Sequence, residues 1–162
     1  MKLDRIALSL SVALLATVAL ASNAQPAFDA LKGLQGDWSG QAMGHEVQVT
    51  FRVTSGGSAI MSEIHGSEDM VTMFHMDGER LMMTHYCGAG NQPRMIGTPS
   101  SDGKTITFNF LDATNLLSSQ PGHMQRLTVN ILDANHHIET WEFQGSDGKT
   151  EQHEMFDLRR TK

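Results

Sequence analysis

The densest run of chemically capable side chains is Thr84-His85-Tyr86-Cys87, followed by Gly88-Ala89-Gly90-Asn91-Gln92-Pro93-Arg94-Met95. Asn91 and Gln92 each carry an amide donor and acceptor, and Arg94 carries a guanidinium fork suited to a carboxylate. The glycines between them let the backbone approach closely or take positive φ. Such a stretch can supply the polar contacts of a small-molecule pocket, with Tyr86 beside it. Its side chains can equally satisfy the loop's own backbone. His85 and Cys87 pair a base with a nucleophile. Two residues apart on one strand they splay, and no third group is evident to orient them. A buried, inert cysteine is the plainer reading.

The chain holds eight histidines and eleven methionines. Imidazoles gathered at one place can ligate zinc, copper or haem iron. No two histidines have a recognised metal spacing such as His-x-x-x-His. Methionine beside histidine suits copper, but a methionine-lined apolar cavity accounts for the same composition.

These residues need a scaffold, and the first 24 residues are not part of it. Lys2 and Arg5 precede an apolar run, Ile6–Ala21, and Ser22-Asn23-Ala24 has the small residues a signal peptidase reads. The apolar run is short for a bilayer span of ~20 residues. The reading is a signal peptide over 1–24 and a single domain over 25–162, exported to the periplasm or secreted, with no stable membrane anchor after cleavage. Removing Lys2, Asp4 and Arg5 leaves ten basic and seventeen acidic residues, a formal charge of −7. That balance argues against nucleic acid and anionic membrane surfaces as partners. The lone Cys87 leaves no internal disulfide, so an ordinary core must carry the stability.

One short helix is expected at Ala27–Leu34, with Phe28, Leu31 and Leu34 on one face and Pro26 just before it. Beyond Gly36 the pattern is strands and turns. Val47, Val49, Phe51 and Val53 alternate with polar residues, as do Ile106, Phe108 and Phe110, then Leu127, Val129 and Ile131, and then Trp141 and Phe143. Asp77-Gly78 is a hairpin signal. The count is about ten strands joined in sequence. Closing the meander removes its edges, so the fold class is all-β: an antiparallel up-and-down, lipocalin-like barrel with one short helix. A two-sheet sandwich is the rival.

In a meander successive turns alternate between the two ends. Tight turns fall at one end, where the helix is expected to act as a plug. Gly66–Asp69, Gly88–Pro93 and Asp112–Gly122 fall at the other, which is the expected mouth. His45, His65, His85 and His123 map near that mouth and form the candidate metal set. Pairing across Asp77-Gly78 sets His85 opposite Met70, and parity turns His85 and Cys87 inward.

From Phe28 to Arg160 the chain resembles a family of uncharacterised exported bacterial proteins. The resemblance is carried by Gly36-Asp37-Trp38-Ser39-Gly40, Thr54–Ala59, Thr84–Cys87 with Gly90–Met95, and Asp112–Leu116. More distantly, Gly-x-Trp-x-Gly followed by a ten-strand meander is similar to lipocalin-like barrels, including fatty-acid-binding proteins and nitrobindin. The nitrobindin resemblance implies haem held by a histidine of the last strand. His153 is the candidate position, and its parity with Phe156 and Leu158 points it outward.

The resulting expectation is an exported binding protein for a small hydrophobic or amphipathic ligand. The cavity is walled by the apolar faces above, including Trp141, and its polar mouth is supplied by His85, Tyr86, Cys87, Asn91, Gln92 and Arg94. The ligand is acidic at one end to meet Arg94. A haem or metal barrel using the mouth histidines is the alternative. A cavity enzyme is a third reading, with no catalytic residue assigned.

Overall fold

The computed structural model describes residues 23–42, 44–66 and 68–162, and of 151–153 the backbone alone. A helix, α1 (Ala24–Lys32), is followed by ten strands: β1 (Gly36–Ala42), β2 (His45–Thr54), β3 (Ala59–His65), β4 (Met70–Asp77) and β5 (Arg80–Tyr86), then β6 (Gln92–Pro99), β7 (Thr105–Thr114), β8 (His123–Asp133), β9 (His136–Gln144) and β10 (Thr150–Arg160). Each strand pairs antiparallel with its sequence neighbours, and β1 pairs with β10, so the sheet closes. The all-β, ten-stranded up-and-down barrel read from the alternation is the fold observed, and the sandwich is excluded.

α1 starts three residues earlier than expected. Pro26 lies within its first turn, where the missing N–H has no helical partner to lose. Ala24, Ala27, Phe28 and Leu31 fall on one face and are buried against β4, β5 and β6. The helix sits beside the tight turn Pro99–Gly103, at the end where the plug was expected. Residues 1–22 of the expected leader lie outside the described residues. Its last residue, Ala24, opens α1.

Trp38 fastens the helix to the barrel. Its indole N–H donates to the Leu34 carbonyl at 2.7 Å. The Arg160 guanidinium lies over the Trp38 ring and donates to the carbonyls of Gln35 and Gly33.

One pairing differs from expectation. Asp77 pairs with Arg80, so Gly78-Glu79 are the two loop residues, with Gly78 at φ 60°. His85 therefore faces Thr72, not Met70. The slip is two residues, an even number, so the inward face is unchanged and His85 is fully buried.

The core is the barrel interior. Phe74 on β4 meets Phe108 on β7 with ring centroids 5.3 Å apart, a contact across the lumen. Val47, Val49, Phe51, Ile106, Phe108, Leu127, Val129 and Trp141, expected as cavity wall, are all buried, and Phe143 is half-buried. They pack with one another as a filled core.

Candidate functional site

At the long-loop end, β2, β3 and β10 frame a pocket of about 90 Å³. Its floor is Val47, Ile64 and Phe156, three buried side chains on inward positions of those strands, with Met70 beside them. Its rim carries His45, Glu46, Glu68 and Glu154. Among the described residues, neither lysine nor arginine lines it. Glu68 comes from the loop between β3 and β4, yet its carboxylate is folded against the backbone of Gly88. A Cβ at position 88 would displace that carboxylate, the flexible end of an exposed side chain.

The Cys87 thiol adjoins this rim. Burial pushes its pKa up, a hydrogen bond with the Ala89 backbone lowers it, and the charges of Glu68 and Glu154 raise it further. His85 and Cys87 therefore form no activated nucleophile. The His85 Nδ1 is hydrogen-bonded to Thr72 Oγ1 at 2.9 Å, and the raised pKa keeps the thiol protonated near neutrality.

Below the pocket floor lies a buried polar row. Ser62, Thr72 and His85 are cross-strand neighbours on β3, β4 and β5, all facing inward. Burial lowers the His85 imidazole to about 4, so it is neutral, and its Nε2 has no hydrogen-bond partner. Across the lumen, His85 lies against Trp141, with ring centroids 4.6 Å apart. The Trp141 indole N–H donates to buried Glu139 at 3.0 Å, and His137 Nε2 lies 3.4 Å from the other carboxylate oxygen. The His137 ring is packed edge-on against Trp38.

The other expected site residues are dispersed. Arg94 lies on the outer wall, half-exposed, and holds Asp112 through its Nε at 2.6 Å and a second contact from Nη2. It does not reach the mouth, because β6 turns its odd positions, Pro93, Met95 and Gly97, inward. The acidic ligand end expected to meet it loses its support. Tyr86 is exposed. Asn91 is buried and donates to the Gly122 carbonyl at 2.8 Å. Gln92 donates to the Gly90 carbonyl and accepts from Thr114. Asn115 also donates to Gly90. These amides clamp two loops together, which is the structural role weighed for them above.

The four candidate metal ligands share an end of the barrel but not a site. His45 and His65 are exposed, and His65 pairs with Asp69 at 3.1 Å. His123 is buried, bonded to the Pro121 carbonyl and packed on Phe110. Among the described residues no group of three or more His, Cys, Asp or Glu is placed to hold a metal ion. His85 has the free nitrogen a haem iron needs, but Trp141 covers its ring and the lumen around it is filled, so these residues do not fit a tetrapyrrole. The side chain of His153, the last-strand candidate, lies outside the described residues.

At the level of sequence, no protein family and no curated protein matches the chain. Solved structures do match. Rv2717c from M. tuberculosis superposes with a TM-score of 0.61 at 16% identity, covering 85% of this chain and 98% of that one. A DUF3598-family protein of unknown function from Nostoc punctiforme superposes with a TM-score of 0.58 at 10% identity, covering 81% of this chain and 49% of that one. At these identities the likeness is one of fold. It supports the barrel and carries no ligand.

Sequence reasoning missed Glu139 and His137. The signal was present: both share the parity of Trp141 on β9. It also missed the rim carboxylates, because the position of Glu68 depends on how a loop folds.

Proposed function

We propose that this chain is an exported small-molecule-binding barrel that takes amphipathic ligands at its long-loop end. The observation that carries the reading is the pocket at that end, with an apolar floor of Val47, Ile64 and Phe156 under a polar rim. A concave apolar surface with a few convergent polar groups is the usual form of a ligand site, and loops at one end of a rigid scaffold are where such sites lie. The first 24 residues have the pattern of a secretory leader, which supports export. The pocket is well below the several hundred Å³ that enclose a drug-sized molecule. It therefore seats one end of a ligand or a very small one, not a whole fatty acid.

The test is a fragment screen followed by methyl resonances. Binding fragments should shift Val47, Ile64 and Met70. Shifts confined to outer-wall residues such as Leu111 and Leu132 would contradict the reading.

A further inference from the structure

Strand parity divides the methionines. Met83 and Met95 are fully buried in the lumen, as a methionine-lined interior requires. Met61, Met73 and Met82 have the opposite parity. The inward positions beside them are Ile60 and Ser62 on β3, Thr72 and Phe74 on β4, and Leu81 and Met83 on β5. The filled core therefore does not account for these three, which stand on the outer wall of three consecutive strands. We infer that this wall carries a soft-metal site, separate from the mouth pocket, in which His75, Met73, Met82 and Met61 hold one copper(I) ion.

The register gathers the four around the imidazole. His75 is paired directly with Met82 on β5. Met73 precedes it by two residues on the same face of β4 and is paired directly with Met61 on β3. Met61 lies on the diagonal from His75, two residues beyond Ala59, the β3 partner of His75. Directly paired residues have Cβ atoms roughly 4.5–5.5 Å apart and diagonal ones roughly 7–8 Å apart, so one imidazole and three flexible thioethers can converge on a single ion. The imidazole is also available. Among the described residues His75 has no hydrogen bond, ion pair or ring contact, whereas His85, His123, His136 and His137 are each engaged.

The donor set decides the metal. Thioethers are soft, neutral ligands that select copper(I), while calcium and magnesium take oxygen ligands. The carboxylates next to the group on the same face are occupied: Glu63 by Arg52 and Asp77 by Arg80. A harder divalent ion would therefore find one nitrogen and no free anionic ligand.

The probe is copper(I) itself, kept reduced with ascorbate, held by bicinchoninate and titrated into the Cys87→Ser protein so that the thiol cannot take the ion. One equivalent should leave the chelator, and the methyl resonances of Met61, Met73 and Met82 should shift together. Met155, exposed on β10, should not respond, and Met155→Leu should leave the affinity unchanged. His75→Gln, Met73→Leu and Met82→Leu should each weaken binding by about tenfold or more, and zinc should not displace the ion. The leucine substitutions nearly conserve volume, and His75 is half-buried on the water side, so the barrel is retained in all three.

Binding that survives both leucine substitutions would overturn the inference and reduce the site to a surface histidine. Failure to withdraw copper(I) from the chelator, shifts at Met155 in place of the three, or displacement by zinc would overturn it as well. Fragment binding at the mouth is read separately, so either site can fail without the other.

Discussion

His85 on β5 and Trp141 on β9 touch across the lumen, ring centroids 4.6 Å apart, although the two strands are not neighbours in the barrel. The contact shows that side chains span the interior at this level. It separates two regions that a hollow barrel would merge: the shallow apolar pocket at the mouth, and a buried polar row that no solvent reaches. The proposed function is placed at the first. The second governs stability and its dependence on pH.

His85 makes that dependence calculable. Its ordinary value of 6.5 falls to about 4 in the folded chain because burial disfavours the charged ring. Between those values the unfolded chain takes up a proton that the folded chain does not. The His85 contribution is intact above pH 6.5 and is lost progressively as pH falls toward 4, by about 3 kcal/mol in all. Urea midpoints across that range should show this acid slope. His85→Gln, which keeps a partner for Thr72, should flatten it whatever its stability at pH 7. An unchanged slope would assign the loss to another group.

Glu139 anchors the second buried cluster. It accepts from the Trp141 indole and approaches His137. Glu139→Ala strands a buried N–H and should cost roughly 2–4 kcal/mol. Glu139→Gln retains an acceptor and should cost about 1 kcal/mol. Equal losses in chemical unfolding would show that these hydrogen bonds contribute little.

The alternation of apolar residues was enough to give the barrel, because each strand buries one face and closure removes the edges. The same parity rule turned His85 inward even though the pairing was misjudged by two residues. The function of Asn91, Gln92 and Arg94 was not legible in this way. Whether an amide meets a ligand or a neighbouring carbonyl depends on how three loops pack, and Arg94 met Asp112 through pairing of β6 with β7. Glu68 was invisible for the same reason, since its place against Gly88 is a tertiary contact between loops.

Cys87 reports on that contact. The Glu68 charge helps to raise the thiol above its ordinary value, after burial as the larger cause. Alkylation by iodoacetamide at pH 7.5 should be slower than for a free thiol. Glu68→Gln should speed it by lowering the pKa, whereas Glu63→Gln, on β3 and paired with Arg52, should not. Identical rates in the two variants would place Glu68 away from the mouth.

Arg94 supplies the negative control. Its ion pair with Asp112 is on the outer wall, in water. Arg94→Ala should change the affinity of any mouth ligand by less than about twofold and leave the thermal midpoint close to wild type. A selective loss of acidic ligands, measured against neutral analogues, would return Arg94 to the site.

The most direct test is native mass spectrometry of the protein recovered from cells without added ligand, wild type beside Ala42→Phe. Ala42 lines the mouth pocket, and the larger side chain would fill it. The account predicts a reproducible small bound mass on the wild type, released by denaturation and missing from Ala42→Phe. A bound mass retained in full by the filled variant, or a wild type that carries none and takes up none from cell extract, would contradict it.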